Sequence, residues 1–283
     1  MRYLTGCNLI DEIPNSAPTR TKSVIMTALL LLVDISWVIF VIWIRHLFHR
    51  NLLKEKLTTA KSSQFSGWDK RQGTIQFTVF ADGIPRVKPL IFFRGKGLRA
   101  SILAELKEYD QRVIVKFNPT AYANIQNMVE WLDEQLVPAL EDRPTLLALD
   151  LFGGHKMDKV LDTMKANDIT PSVIPGGCTG LVQPLDVSIN RTFKDTLKES
   201  LEMKLDKIER EEEEIIEAGG RLPGSKIGRR RVAVTWRVGE AWERFSAEKA
   251  EVVKKAFHVV GLALPIDGLA DHEISIKGID TEL

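Results

Sequence analysis

From residue 66 onward the apolar positions of the chain switch between two spacings, two residues in some stretches and about 3.6 in others, which is the pattern of an alternating α/β domain. Residues 74–80, TIQFTVF, alternate and are β-branched or aromatic, which predicts a strand. The turn Ala81-Asp82-Gly83-Ile84-Pro85 leads to a second strand at 87–93, so the two form a hairpin, and Arg94-Gly95-Lys96-Gly97 closes it as a basic loop. A third strand is expected at 112–117, and Asn118-Pro119-Thr120 then opens an amphipathic helix over 121–136. TLLALDLF at 145–152 is an almost unbroken apolar run, as in a strand covered on both faces. A helix at 156–167, a strand at 169–174 and a glycine-rich loop follow. A long helix then starts around Gln183-Pro184-Leu185-Asp186 and continues through 190–218. Residues 221–231 read as a loop ending in Arg229-Arg230-Arg231, followed by helices at about 232–245 and 247–260 and a polar tail. Trp236, Trp242, Phe245 and Phe257 fall at helical spacing and are expected in the core.

The front of the chain departs from this pattern. Residues 24–44 are apolar except for Thr27, Asp34 and Ser36, long enough to cross roughly 30 Å of hydrocarbon as a helix. Trp37 and Trp43 lie in its second half, and Arg45, Arg50, Lys54 and Lys56 follow, which would hold the rest of the chain on the cytosolic side of a membrane. Three readings stand for this helix: a membrane anchor, opposed by the cost of Asp34 at mid-span; a buried core helix; or a translated non-coding stretch. A cleaved signal peptide fits poorly, since no small-residue cleavage site closes the run.

Composition narrows the function classes. The chain has 283 residues, 44% hydrophobic and 27% charged, as expected of a folded protein. Its 39 lysines and arginines nearly cancel 38 aspartates and glutamates, so any attraction to nucleic acid must come from local patches. The two cysteines, Cys7 and Cys178, are far apart, which excludes a disulfide scaffold and a cysteine-rich zinc site.

Two aspartates stand out by position. Asp150 sits near the end of the most apolar strand, where an uncompensated carboxylate is expensive. Asp186 follows a proline at a helix start, after a helix and a strand that would return the chain to the same edge. Together they form a candidate magnesium site, because two adjacent carboxylates repel unless a cation neutralises them. Separately, each is an ordinary capping residue.

SGWDKRQGTIQFTVFADGIPRVKPLIFFRGKG at 66–97, RPTLLALDLFGGHK at 143–156 and SVIPGGCTGLVQPLDVSINRTFK at 172–194 resemble successive blocks of the DDE superfamily endonuclease domain. The resemblance is to pogo-like transposases of the mariner superfamily, related also to centromere protein B, and runs from about residue 60 to 280. It implies an RNase H-like fold, with a mixed central sheet and helices on both faces, in which an acidic triad binds two Mg2+ or Mn2+ ions for in-line attack on a DNA phosphodiester. By the resemblance Asp150 is the second acid and Asp186 the third, with His155 and Gln183 as orienting groups around them. Arg191 and Lys194, together with Arg94, Lys96, Arg99 and the triplet Arg229, Arg230 and Arg231, are candidate DNA contacts.

The resemblance implies a first acid at the end of the first central strand, upstream of the Gly-Trp-Asp-Lys-Arg block. That region holds the apolar run, so the first strand is expected to be missing. Asn8-Leu9-Ile10-Asp11-Glu12-Ile13-Pro14 is faintly similar to the motif, with Asp11 as first acid; the spacing to Asp82 would suit the family if a stretch like the apolar run were removed. Asp82 is expected to be structural, and Asp69 belongs to the basic block. The expected organisation is a divergent segment over 1–60, an endonuclease core over 61–218 and a helical extension over 219–283. Helix-turn-helix DNA-binding domains would precede the start of this chain. The reading that follows is an impaired nuclear DDE domain with weak, nonspecific DNA binding; the alternative is a non-catalytic DNA- or protein-binding remnant, tethered to a membrane through 24–44.

Overall fold

A computed structural model of the chain describes residues 37–44, 73–97, 99–150, 158–174, 188–222, 224–265 and 269–275. They build one six-stranded mixed sheet with helices on both faces. The strands are β1 (Trp37–Ile44), β2 (Gly73–Phe80), β3 (Leu90–Arg94), β4 (Ile114–Asn118), β5 (Thr145–Asp150) and β6 (Ile169–Ile174), in the order β4-β3-β2-β1-β5-β6. β1 pairs antiparallel with β2 and parallel with β5, β2 pairs antiparallel with β3, and the β3–β4 and β5–β6 pairs are parallel. β2 therefore runs against the other five, whose carboxyl ends all point to one edge.

β1 corrects two expectations at once. The segment 24–44 is not one apolar helix, and the sheet does not lack a first strand: WVIFVIWI, the last eight residues of that segment, is the central strand itself. A strand hydrogen-bonded on both sides in the middle of a sheet accepts a continuously apolar sequence, and such a sequence imitates part of a membrane span. Among the described residues no helix is long and apolar enough to cross a membrane. Residues 24–36 lie outside the described residues.

β2 shows the same effect more mildly. Its alternation suggests one wet face, yet all eight residues are buried, Thr74, Gln76 and Thr78 included. Ile75, Phe77 and Val79 face one core, with Ile91 and Phe93 of β3. Against them pack Phe193 and Leu197 of α5 (Asn190–Glu217), Val234, Val238 and Trp242 of α6 (Lys226–Glu248) and Phe257 of α7 (Ala250–Val259). On the other face Phe80, Leu90, Phe92, Leu147 and Leu149 meet Trp131 at the end of α2 (Ile125–Trp131). The chain continues there through a π turn, Leu132–Leu136, into the short α3′ turn Val137–Leu140, and Met164 of the β5–β6 crossover helix (Asp158–Ala166) completes this second core. Each fully buried aromatic or leucine contributes roughly 1.5–3 kcal/mol, so both faces are well supplied.

Element boundaries differ from the sequence reading where turns decide them. The second strand starts at Leu90 because Val87-Lys88-Pro89 holds a proline, which has no N–H for the ladder. A short helix at Ala100–Glu105, α1, was not anticipated. The stretch 221–231 is not a loop to its end: Ser225 caps α6 by accepting from the Gly228 N–H at 2.9 Å, so the arginine triplet is helical. Trp242, Phe245 and Phe257 lie in the core as expected, but Trp236 is 46% exposed, its indole N–H donating to the Glu108 carbonyl at 2.9 Å.

Candidate active edge of the sheet

Asp150 is the last residue of β5, paired with Ile174 at the end of β6. The chain thus leaves one strand at the carboxyl edge, crosses through a helix, and returns to the same edge beside it. Edges of this kind, outside the carboxyl ends of parallel strands, are where open α/β sheets hold ligands. Asp186, His155, Gln183 and Asp11 lie outside the described residues, as does Asp69.

β1 is the other neighbour of β5. Carrying their register on by two residues from Phe40 opposite Ala148 puts Ile42 level with Asp150. The strand holds no aspartate or glutamate from Trp37 to Ile44, and Arg45-His46 follows it. This is the place where the resemblance implies the first acid, and Asp11 stands well before the strand begins. The signal that identifies the strand is a change inside the apolar run: MTALLLL favours helix, whereas WVIFVIWI consists wholly of β-branched and aromatic residues.

The described donors do not fit a two-metal centre. Asp150 is the single carboxylate that the described residues bring to the middle of this edge, and no group of three or more His, Cys, Asp or Glu among them could hold a metal ion. Divalent ions of this type need several oxygen ligands, so Asp150 without a carboxylate on β1 is a weak start for such a site.

The candidate basic groups separate into two kinds. In the triplet, Arg231 grips Glu105 of α1 through contacts of 2.6–2.9 Å and lies 5.6 Å over the Phe117 ring, Arg229 meets Glu212 of α5 at 2.9 Å, and Arg230 is 6% exposed. These charges tie α6 to its neighbours. Arg191 and Lys194 are exposed on the first turns of α5. Arg94, Lys96 and Arg99 are exposed at the carboxyl end of β3, on the same edge as Asp150.

Asp82 takes a structural part. Burial raises its pKa, but the Arg86 guanidinium at 2.5 and 2.9 Å and the Ile84 N–H at 3.0 Å outweigh that and hold the carboxyl below its ordinary value.

Comparison with known proteins shows the family. Residues 70–257, well over half of the chain, match the family described as DDE superfamily endonuclease. Two human proteins share part of it. "Pogo transposable element with ZNF domain" is 30% identical over 130 residues, which is 44% of this chain and 8% of that protein. "Pogo transposable element with KRAB domain" is 24% identical over 135 residues, 47% of this chain and 21% of that protein. The chain therefore spans about a fifth or less of the length of these relatives. No solved structure matches it. A mixed sheet with Asp150 at its carboxyl edge, matched across two thirds of the sequence, places the chain in the DDE superfamily endonuclease family, on its pogo-like side.

Proposed function

We propose that the chain is an RNase H-like DDE domain that binds DNA in the nucleus and has lost most or all of its phosphodiester-cleaving chemistry. The observation that carries this is β1: the strand beside Asp150 has Ile42 at the level of Asp150 and no acid from Trp37 to Ile44, where the family's first acid belongs. In the intact family, divalent metals held by three acids activate the attacking oxygen and stabilise the leaving one. Here Asp150 and Asp186 are the two acids the family pattern supplies. Two carboxylates with no third have reduced affinity for the ions and cannot keep two of them in register.

A supercoiled-plasmid nicking assay on the full chain in Mg2+ and in Mn2+ tests this. No nicking above that of Asp150→Asn and Asp186→Asn variants is the expected result. Metal-dependent nicking that either substitution abolishes would overturn the loss of activity and mean that a first acid comes from elsewhere in the chain, Asp11 being the first to replace.

A further inference from the structure

α5 and α6 cover one face of the sheet through Phe193, Leu197, Val234 and Val238, and between them they leave a cleft of about 520 Å³. Its walls are one stripe from each helix. Ile208, Glu211 and Ile215 of α5 stand at i, i+3 and i+7, and Val232, Ala233 and Trp236 of α6 at i, i+1 and i+4, so each set shares a helix face. Facing stripes of this kind ordinarily interdigitate and bring helix axes to about 8–10 Å. Here Ile215 stays 39% exposed and Trp236 46%, with Ile216 next along α5 at 59%.

The walls are fixed in this arrangement. The Trp236 indole is held by the Glu108 carbonyl at 2.9 Å, with the Arg112 guanidinium 5.8 Å over its ring. Arg229 meets Glu212 at 2.9 Å and ties the two helices together, and the Gly220 N–H donates to the Ile215 carbonyl at 2.8 Å, which ends α5 and turns the chain toward α6. The volume is within the range of built ligand sites, about 300–1,000 Å³. Each wall runs over two helical turns, roughly 11 Å. A ridge of apolar side chains at i, i+3, i+4 and i+7 on a docked helix matches such a groove.

Charge selects the partner. From Lys207 to Glu217 α5 carries six glutamates against two cations, and Glu213, Glu214 and Glu217 are exposed beside Ile215 and Ile216. The cations of α6 that line the cleft, Arg229 and Arg237, already face Glu212 and Glu240. One bank is therefore acidic, which repels phosphate groups and disfavours both nucleic acid and an anionic lipid surface as occupants.

We propose that the α5–α6 cleft docks a basic amphipathic helix of another protein. Its apolar stripe lies against Ile208, Ile215, Val232 and Trp236, and its lysines or arginines lie beside Glu213, Glu214 and Glu217. This surface goes beyond the DNA-binding reading and does not depend on it.

The test is fluorescence anisotropy on the full chain with a labelled helical peptide of leucine and lysine, leucines at i, i+3, i+4 and i+7. Two controls accompany it, the same pattern with glutamate for lysine and the leucine–lysine composition in scrambled order. The patterned leucine–lysine peptide is expected to bind, and both controls about tenfold or more weakly. Val232→Phe, which fills the cleft, and Ile215→Ser, at a half-exposed position that leaves the fold intact, are each expected to weaken binding about tenfold. Glu213→Gln/Glu214→Gln/Glu217→Gln is expected to weaken it about fivefold and to reduce its salt dependence. No binding of the patterned peptide, equal binding of all three peptides, or undiminished binding to both apolar variants with native circular dichroism would overturn the proposal. Sedimentation of the chain alone as a dimer that Ile215→Ser dissociates would overturn it in favour of a second copy as the occupant.

Discussion

Glu105 ends α1 at 9% exposure and has two hydrogen-bonding partners, Arg231 through Nε and Nη2 and the Tyr109 hydroxyl at 3.1 Å, while Gly228 of α6 faces it across a gap no side chain could enter. A Cβ at Gly228 would stand 2.4 Å from the carboxylate, and one at Gly239 would stand 2.7 Å from the buried Asp110. α6 thus carries two glycines that open it to two acids of the α1–β4 connection. Removing one partner of a nearly buried ion pair leaves the other without compensation, so Arg231→Ala is expected to cost about 3 kcal/mol. Thermal denaturation should show this as a fall of about 6–12 °C; a shift within 2 °C would mean that water takes over the carboxylate. Tyr109 senses the same cluster at high pH. Burial, with Glu105 beside it, pushes its phenol from 10.0 to about 12, against the opposing pull of Arg231. The unfolded chain therefore releases this proton first, and the folded state loses stability as pH rises from about 10 to 12. Tyr109→Phe should flatten that part of the stability profile measured by urea unfolding, whereas a profile identical to wild type would assign the loss to other groups.

At the scale of elements, β1 decides more than any other segment. It supplies the central rung between β2 and β5, and without it the sheet divides into β4-β3-β2 and β5-β6. Deletion of 24–44 is accordingly expected to abolish cooperative folding, leaving an unpaired edge on each half. Circular dichroism and a thermal melt of the deletion protein read this directly. A deletion protein that melts cooperatively would show that residues before 24, which carry Asp11, can furnish the strand, and would restore the first acid to consideration. Hydropathy averages over a window and cannot separate an apolar central strand from a span, whereas residue type changes sharply within the run.

At the scale of the molecule, the two cores face opposite sides of one sheet, and the carboxyl edge lies between them. This edge collects Asp150 and the ends of β3, β4 and β6, all from segments far apart in sequence. It follows that DNA binding and cleavage are separable: salt-sensitive binding should survive Asp150→Asn, and nicking should be absent with or without it. The arginine triplet shows the limit of reading charge from sequence. Three consecutive cations look like a DNA patch, yet their helical placement turns Arg229 and Arg231 toward Glu212 and Glu105 and leaves Arg230 buried.

What the sequence by itself determined was local or carried by motif. The strands expected at 74–80, 145–152 and 169–174, in their described parts, the long helix through 190–218, the core aromatics Trp242, Phe245 and Phe257, and the family are all legible because residue type, period and short blocks express them directly. Only the tertiary structure decided that WVIFVIWI is the middle of the sheet, that Trp236 is half exposed, and that the triplet is internal. Each of these depends on which segments become neighbours. A central place in the sheet depends on pairing with distant segments, and an ion pair or a sheet register joins residues dozens of positions apart, so neither leaves a trace in the spacing of one chain.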